Sequence, residues 1–193
     1  MTRILLADIG GTYARFALAS PTATSKTWRT EVSSWATASE AIAAFLALDH
    51  STDPVEGALI AAAGPVEGGQ CRLTNAAWTL DEHEIVRGFP FKWARIVNDL
   101  EAVAAGLRDL DPSQSVAVGG GAAVPGAPLA LLAPGTGLGM ACVAQGPGGP
   151  CVISSEGGHA TLAGMDDRYD RIVSVIRRRH GRASIERVLS GPG

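Results

Sequence analysis

The chain is short of the residues that build metal sites, disulfide frameworks and membrane spans. Cysteine occurs three times in 193 residues, at Cys71, Cys142 and Cys151. An odd number at such wide spacing forms no zinc ligand pair, so these are expected to be reduced, half-buried residues in a cytosolic protein. The four histidines are equally scattered, and "DEHEIV" at 81–86 has no second histidine one helical turn on, which excludes the paired-histidine zinc motif. No apolar run reaches the length of a membrane span. An acidic residue as early as Asp8 argues against a secretory leader, and the expected location is the cytoplasm, away from any membrane. Positive charge is scarce as well: 16 Lys and Arg against 19 Asp and Glu leave a net charge of −3, which disfavours nucleic acid as a partner. The one basic cluster, "RRRHGR" at 177–182, is expected to be the solvated end of a helix, matched to its dipole. Three glycine signatures are missing too. There is no Gly-x-x-x-x-Gly-Lys-[Ser/Thr] loop and no Gly-x-Ser-x-Gly elbow, and "GTGLGM" has Met140 where a dinucleotide fingerprint needs its third glycine.

What remains is a globular composition with an ample core, 46% hydrophobic and 18% charged, long enough for one large domain or two small ones. Its most informative stretch is "LLADIGGTYARFALAS" at 5–20. Two apolar runs joined by Gly-Gly-Thr read as a hairpin whose glycines take the positive φ of a tight turn. Asp8 lies among Ile4, Leu5, Leu6, Ala7 and Ile9, and an ionised carboxylate there is costly unless it meets a metal, a charge or hydrogen-bond donors. The N–H groups of Gly10, Gly11 and Thr12 and the Thr12 hydroxyl can donate to an anion, with Asp8 holding a hydrated Mg²⁺ beside it. The alternative is an ordinary hairpin whose turn Asp8 caps.

Farther along, the pattern alternates between strand and helix. Strands are expected at 3–9, 13–19, 26–33 and 57–63, with a helix at 39–48 and a short helix N-capped by Asp81. "ARIVN" then reads as a strand feeding the helix "DLEAVAAGLRDL", and "GGGAAVPGAP" at 119–128 as a loop between lobes. After it the pattern restarts: "LALLAPGTGLGMACVAQ" at 129–145 is again strand, glycine turn and strand, followed by a strand at 151–155 and a helix at 166–180. This is a weak internal repeat of three strands and a helix, with a glycine turn between the first two strands each time. Two such units facing each other would grip one polyphosphate from both ends.

Six ordered motifs carry a family resemblance: "DIGGTYARFAL", "LTNAAW" at 73–78, "IVNDLEAVAAGL" at 96–107, "PGTGLG" at 134–139, "EGGH" at 156–159 and "ERVLSGPG" at 186–193. Together they resemble bacterial glucokinase, and they run through essentially the whole chain. Related sugar kinases and repressors usually carry a cysteine-rich zinc motif after "EGGH". Here "ATLAGMDDRYD" stands in that place, which favours the glucokinase branch. The resemblance implies an α/β ribonuclease H-like fold of the actin and hexokinase ATPase type. The smaller lobe, 1–110, would be nearly complete and the larger lobe, 111–193, partial, because glucokinases continue well past the point matching Gly193 to complete the larger lobe and supply an adenosine site. An unfinished lobe is expected to expose apolar surface and to be poorly stable alone.

The implied activity is phosphorylation of glucose by ATP with Mg²⁺, giving glucose 6-phosphate; the alternative is a non-catalytic remnant that binds sugar or a partner protein. Since glucokinases are often dimers, a homodimer is a partner the resemblance allows. Asp99 becomes the catalytic base, whereas on its residues alone the Asn98-Asp99 pair reads as a helix N-cap. Thr74, Asn75, Asn98, Asp99, Glu156, His159 and Glu186 would bind the sugar, with Trp78 packing beneath the Thr74 loop. Without the resemblance, Glu186 reads as a first-turn helix acid and His159 as a structural histidine. Ala7, Asp8, Ile9, Gly10, Gly11 and Thr12 would form the first phosphate grip and Gly135, Thr136 and Gly137 the second, with Asp8 reaching Mg²⁺ through water.

Overall fold

Alternation decides where each side chain of the first strand goes. In β1 (Arg3–Ile9), Leu5, Ala7 and Ile9 are buried, so Asp8 falls on the opposite face and is exposed. The cost of a buried carboxylate expected from the apolar run therefore does not arise. β2 (Tyr13–Ala19) folds back antiparallel to β1 with Asp8 opposite Arg15, and β3 (Trp28–Glu31) continues the meander. The chain then passes through α1 (Ala38–Leu46) into β4 (Val55–Ala62), parallel to β1, and later adds β8 (Trp93–Asn98) parallel to β4. The five-stranded sheet has the order β3-β2-β1-β4-β8. This computed structural model describes residues 2–191 except 75 and 123.

α1 starts where the sequence provides a cap. The Thr37 hydroxyl accepts the Glu40 N–H at 3.2 Å, and the Glu40 carboxylate reaches back to the Ala36 N–H at 3.0 Å. The helix lays Ala38, Ala41, Ile42 and Phe45 on the sheet, where Phe45 stacks on Phe16 and Trp28 at centroid separations of 5.7 and 5.9 Å. The few aromatics are thus concentrated in one core with Leu5, Ile9, Ile60 and Ile96. Each such side chain fully buried contributes on the order of 1.5–3 kcal/mol. β4 is buried mainly on one face: Ala58, Ile60 and Ala62 are covered, while on the other Leu59 is 37% exposed although Gly57 is covered.

A small sheet of β5 (Val66–Glu67), β6 (Gln70–Arg72) and β7 (Thr79–Asp81) precedes α2 (Glu82–Gly88). Its hairpin turns on Gly68 and Gly69, both at positive φ (58° and 78°), a two-glycine loop that is itself a hairpin signal. Asp81 caps α2 by accepting the His83 and Glu84 N–H groups at 2.7 and 3.0 Å. α3 (Asp99–Gly106) ends at a glycine, four residues earlier than its apolar pattern suggests, and a 3₁₀ turn at Leu107–Asp109 follows. β3 is likewise shorter than expected, since the Val32 N–H turns away to the Thr12 carbonyl and opens a 3₁₀ turn at Val32–Ser34.

The chain divides into two compact units, up to Ala102 and from Val103 onward. The second contains an antiparallel meander of β9 (Leu129–Pro134), β10 (Leu138–Gly146) and β11 (Gly149–Ser155), then α4 (Asp167–His180) and α5 (Glu186–Leu189). Three antiparallel strands and a helix thus occur in each unit, as β1-β2-β3-α1 and as β9-β10-β11-α4, with the glycine turn between the first two strands both times. The basic cluster is the last turn of α4, closed by Gly181 at φ 77°. This unit's buried cluster is small, comprising Ala104, Ala141 and Val143. Leu132, Ile153, Val116, Val118 and Met165 are at least half exposed. Among the cysteines, Cys71 is buried and Cys151 exposed, and all three are free.

Candidate active site

Three parallel strands end together. Ile9 of β1, Ala62 of β4 and Asn98 of β8 are in register across the sheet, so the segments that follow them emerge side by side. Carboxyl ends of parallel strands are where α/β sheets place their ligands. After Ile9 comes the Gly10–Thr12 turn, after Ala62 come Ala63 and Gly64, and after Asn98 comes Asp99. Cross-links hold this edge: the Ala63 N–H donates to the Ile9 carbonyl at 2.9 Å, and the Asn98 side-chain amide to the Gly64 carbonyl at 3.1 Å. Thr74 joins the same edge, its N–H and hydroxyl both donating to the Ala63 carbonyl, at 3.2 and 3.3 Å. Trp78 is buried nearby in sequence, with its indole N–H on the Trp35 carbonyl. Asn75 lies outside the described residues.

Asn98 and Asp99 do cap a helix. Asn98 Oδ1 accepts the Leu100 and Glu101 N–H groups at 3.0 and 3.4 Å, and Asp99 Oδ1 accepts Leu100 N–H at 2.9 Å. Capping does not exhaust them: one amide hydrogen of Asn98 and the second oxygen of Asp99 have no such bond. Asp99 is half-buried, and burial lifts its carboxyl above the ordinary carboxylate range, with the nearby charge of Asp8 pushing the same way. Asp8 itself is paired with Arg15, 2.7 Å away across the hairpin. Arg15 is a residue that the sequence reading passed over, and the register opposite Asp8 was the signal. Gly64 was also missed: a Cβ there would fall 2.6 Å from the Arg72 carbonyl oxygen.

The first glycine turn corrects an expectation. Neither Gly10 nor Gly11 has positive φ; the turn closes through the Gly10 N–H on the Tyr13 carbonyl at 3.0 Å. Glycine is therefore not required there by a left-handed backbone. A Cβ on Gly135, in the second turn, would meet nothing within 4 Å, which leaves that backbone open to an approaching anion.

In the second unit the remaining expected residues meet. His159 lies in the 3₁₀ turn Gly157–His159, between two carboxylates: Nε2 is 3.5 Å from Glu156 Oε2, and Nδ1 is 3.8 Å from Glu186 Oε1. Residues 27 apart in sequence are brought together by a short antiparallel bridge. The Ile185 N–H donates to Ala160 O and the Leu162 N–H to Ala183 O, both at 3.0 Å. The glycines of "EGGH" are needed for packing: a Cβ on Gly158 would lie 2.1 Å from the Leu138 carbonyl oxygen. Glu186 also accepts the Leu138 N–H at 3.0 Å, just after the Gly135–Gly137 turn.

No group of three or more His, Cys, Asp and Glu side chains that could cage a metal exists among the described residues. No helix among them is long and apolar enough to cross a membrane. Mg²⁺ ordinarily takes one or two carboxylates and keeps several waters. The single half-exposed Asp8 carboxylate fits that mode of binding, with the rest of the shell left to water and phosphate oxygens.

Solved structures with this architecture define a class first. A glucokinase from an Antarctic psychrotroph superposes with a TM-score of 0.85 at 34% identity, over 99% of this chain and 61% of that one. The glucokinase of Balamuthia mandrillaris, solved with glucose, gives 0.69 at 22% identity, over 100% and 60%. The fold is that of the sugar kinases, as the sequence had implied. The family model for glucokinase matches residues 5–193, and the chain belongs to the glucokinase family. It is 39% identical to the glucokinase of a Caulobacter species over 195 residues, covering 98% of this chain and 58% of that protein. It is 38% identical to the "Bifunctional protein glk" of Burkholderia pseudomallei over 192 residues, covering 98% and 30%. The chain thus spans between about a third and three-fifths of the length of these relatives.

Proposed function

We propose that the chain carries the transfer apparatus of an ATP-dependent hexose kinase that converts glucose to glucose 6-phosphate by direct in-line transfer. The observation that carries this reading is the register of β1, β4 and β8, which puts Asp8, the first glycine turn and Asp99 at one end of one sheet. Phosphoryl transfer asks the protein mainly for positioning and for electrostatic stabilisation, and rigid strand ends supply the first.

Asp99 acts as the base. Its carboxylate accepts the proton of the sugar 6-hydroxyl as the oxygen–phosphorus bond forms, and partial burial makes it a stronger acceptor than a free aspartate. The helix-capping bond from Leu100 N–H fixes its orientation. Asn98 offers its spare amide hydrogen to a second hydroxyl. Glu156, His159 and Glu186 bind further hydroxyls, since each hydroxyl both donates and accepts, and a histidine between two carboxylates presents both kinds of group. The family resemblance adds Thr74 and Asn75 to the sugar-binding set. Backbone amides of Gly11 and Thr12, and of Thr136 and Gly137, receive phosphate oxygens, while the N–H groups of Gly10 and Gly135 close the two turns and Ala7 and Ile9 flank the first. Asp8 would hold Mg²⁺ through water, and the ion would supply neutralisation of phosphate charge.

A panel of acceptors tests this. The purified chain with Mg·ATP is expected to phosphorylate glucose, to bind 6-deoxyglucose without turning it over, and to be inhibited by it competitively. A folded chain that turns over no hexose would contradict the proposal and leave a protein that binds sugar or a partner.

A further inference from the structure

The two oxygens of Glu186 face different parts of the second unit. Oε1 lies toward His159 at 3.8 Å, on the side assigned to the sugar. Oε2 accepts the N–H of Leu138, the residue that follows the second glycine turn, at 3.0 Å. The other end of the turn is tied to the far side of α5, where the Gly191 N–H donates to the Gly135 carbonyl at 2.7 Å. The turn closes on itself through the Gly135 N–H and the Gly137 carbonyl at 2.8 Å. A Cβ on Gly137 would fall 2.5 Å from Glu186 Oε2, so the missing side chain at 137 is what lets the carboxylate reach. A backbone N–H bonded to a carboxylate is a strong, directional tether. The Glu186 side chain is 29% exposed, which limits competition from water.

We propose that Glu186 is a positioning residue that sets the second phosphate turn from within the sugar pocket, coupling hexose occupancy beside His159 to anion binding at residues 135–137. The identity of the two ligands rests on the hexose-kinase reading; the tether does not. A sugar hydroxyl that draws on Oε1 shifts the carboxylate and with it the Leu138 amide. By linkage, an anion on the turn alters sugar affinity by the same factor.

The test uses the ¹⁵N-labelled chain, with amide hydrogen exchange and titrations of glucose and of pyrophosphate as a phosphate-turn probe. Glu186→Ala is expected to speed Leu138 exchange at least about tenfold and to weaken pyrophosphate binding about tenfold, the size of losing one bond to a charged acceptor. Glu186→Gln is expected to restore both, because its amide oxygen can take the same N–H. Glucose should move the Gly137 and Leu138 resonances and change pyrophosphate affinity in the wild type, and should leave pyrophosphate affinity unchanged in Glu186→Ala. Equal Leu138 exchange in the wild type and Glu186→Ala would overturn the inference, as would a wild type that binds no pyrophosphate or whose pyrophosphate affinity ignores glucose. The wild-type titrations and Glu186→Gln decide the matter if Glu186→Ala does not fold. Coupling without any sugar phosphate formed would instead contradict the proposed activity and leave the tether standing.

Discussion

Replacing Gly158 by alanine should damage stability and sugar binding together. The added Cβ would sit 2.1 Å from the Leu138 carbonyl oxygen, where ordinary contact begins at 3.4 Å, so about 1.3 Å must be found by moving backbone against backbone. Leu138 is pinned on its other side by the Glu186 carboxylate and pairs with Pro134 in the sheet, so the 3₁₀ turn carrying His159 is the part that gives way. Overpacking of this kind costs about 1–3 kcal/mol. For a chain of this length each kcal/mol lowers Tm by about 2–4 °C, which predicts a fall of roughly 2–12 °C. A shift of His159 by that distance also exceeds what hydrogen bonds tolerate, so glucose affinity should drop by about tenfold or more. Thermal unfolding followed by circular dichroism and a calorimetric glucose titration read the two effects. Gly135→Ala is the control, since its Cβ meets nothing within 4 Å and Tm should hold. A Gly158→Ala chain with wild-type Tm and glucose affinity would refute the packing argument.

Three further outcomes follow from the same structure. Asp99→Asn should raise Tm at neutral pH: burial raises the Asp99 pKa, so the stability contributed by its protonated form is complete below the unfolded value near 3.8 and is lost as pH rises through the folded value. Melting curves across that range should show the wild type losing this contribution and the variant not. Asp49 behaves oppositely. Its hydrogen bond with Arg3 at 2.7 Å lowers its pKa, so its contribution is present above 3.8 and disappears as pH falls through the lowered value, and Asp49→Asn should flatten that part of the acid unfolding curve. Ile60→Ala, at a fully buried position in the middle of the main sheet, should cost about 2–5 kcal/mol by chemical denaturation.

Local rules made much of the fold legible. Asp81 caps the helix that its position foretold, Thr37 and Asp166 cap two more, and the repeated strand–glycine turn–strand pattern appears in both units. Alternation was the rule under-used: counted along β1, it puts Asp8 on the open face and opposite Arg15, where a purely apolar reading of the run buries it. The β5–β7 sheet was hidden because its strands are two or three residues long, although Gly68-Gly69 marked its turn. Of the candidate site, the family motifs picked out Glu156, His159 and Glu186, which the fold brings together. The tether from Glu186 to Leu138 was not, because it depends on a bridge between residues 160–162 and 183–185 that no local pattern announces.

The most direct measurement follows the γ-phosphoryl group of radiolabelled Mg·ATP into glucose 6-phosphate, with the wild-type chain and Asp99→Asn side by side after both are shown to be folded. The account predicts label transfer by the wild type and a loss of about 10²–10⁴-fold in the variant, the usual contribution of a positioned base. Equal transfer by the two chains would contradict the role of Asp99, and a folded wild type that transfers nothing would contradict the kinase reading itself.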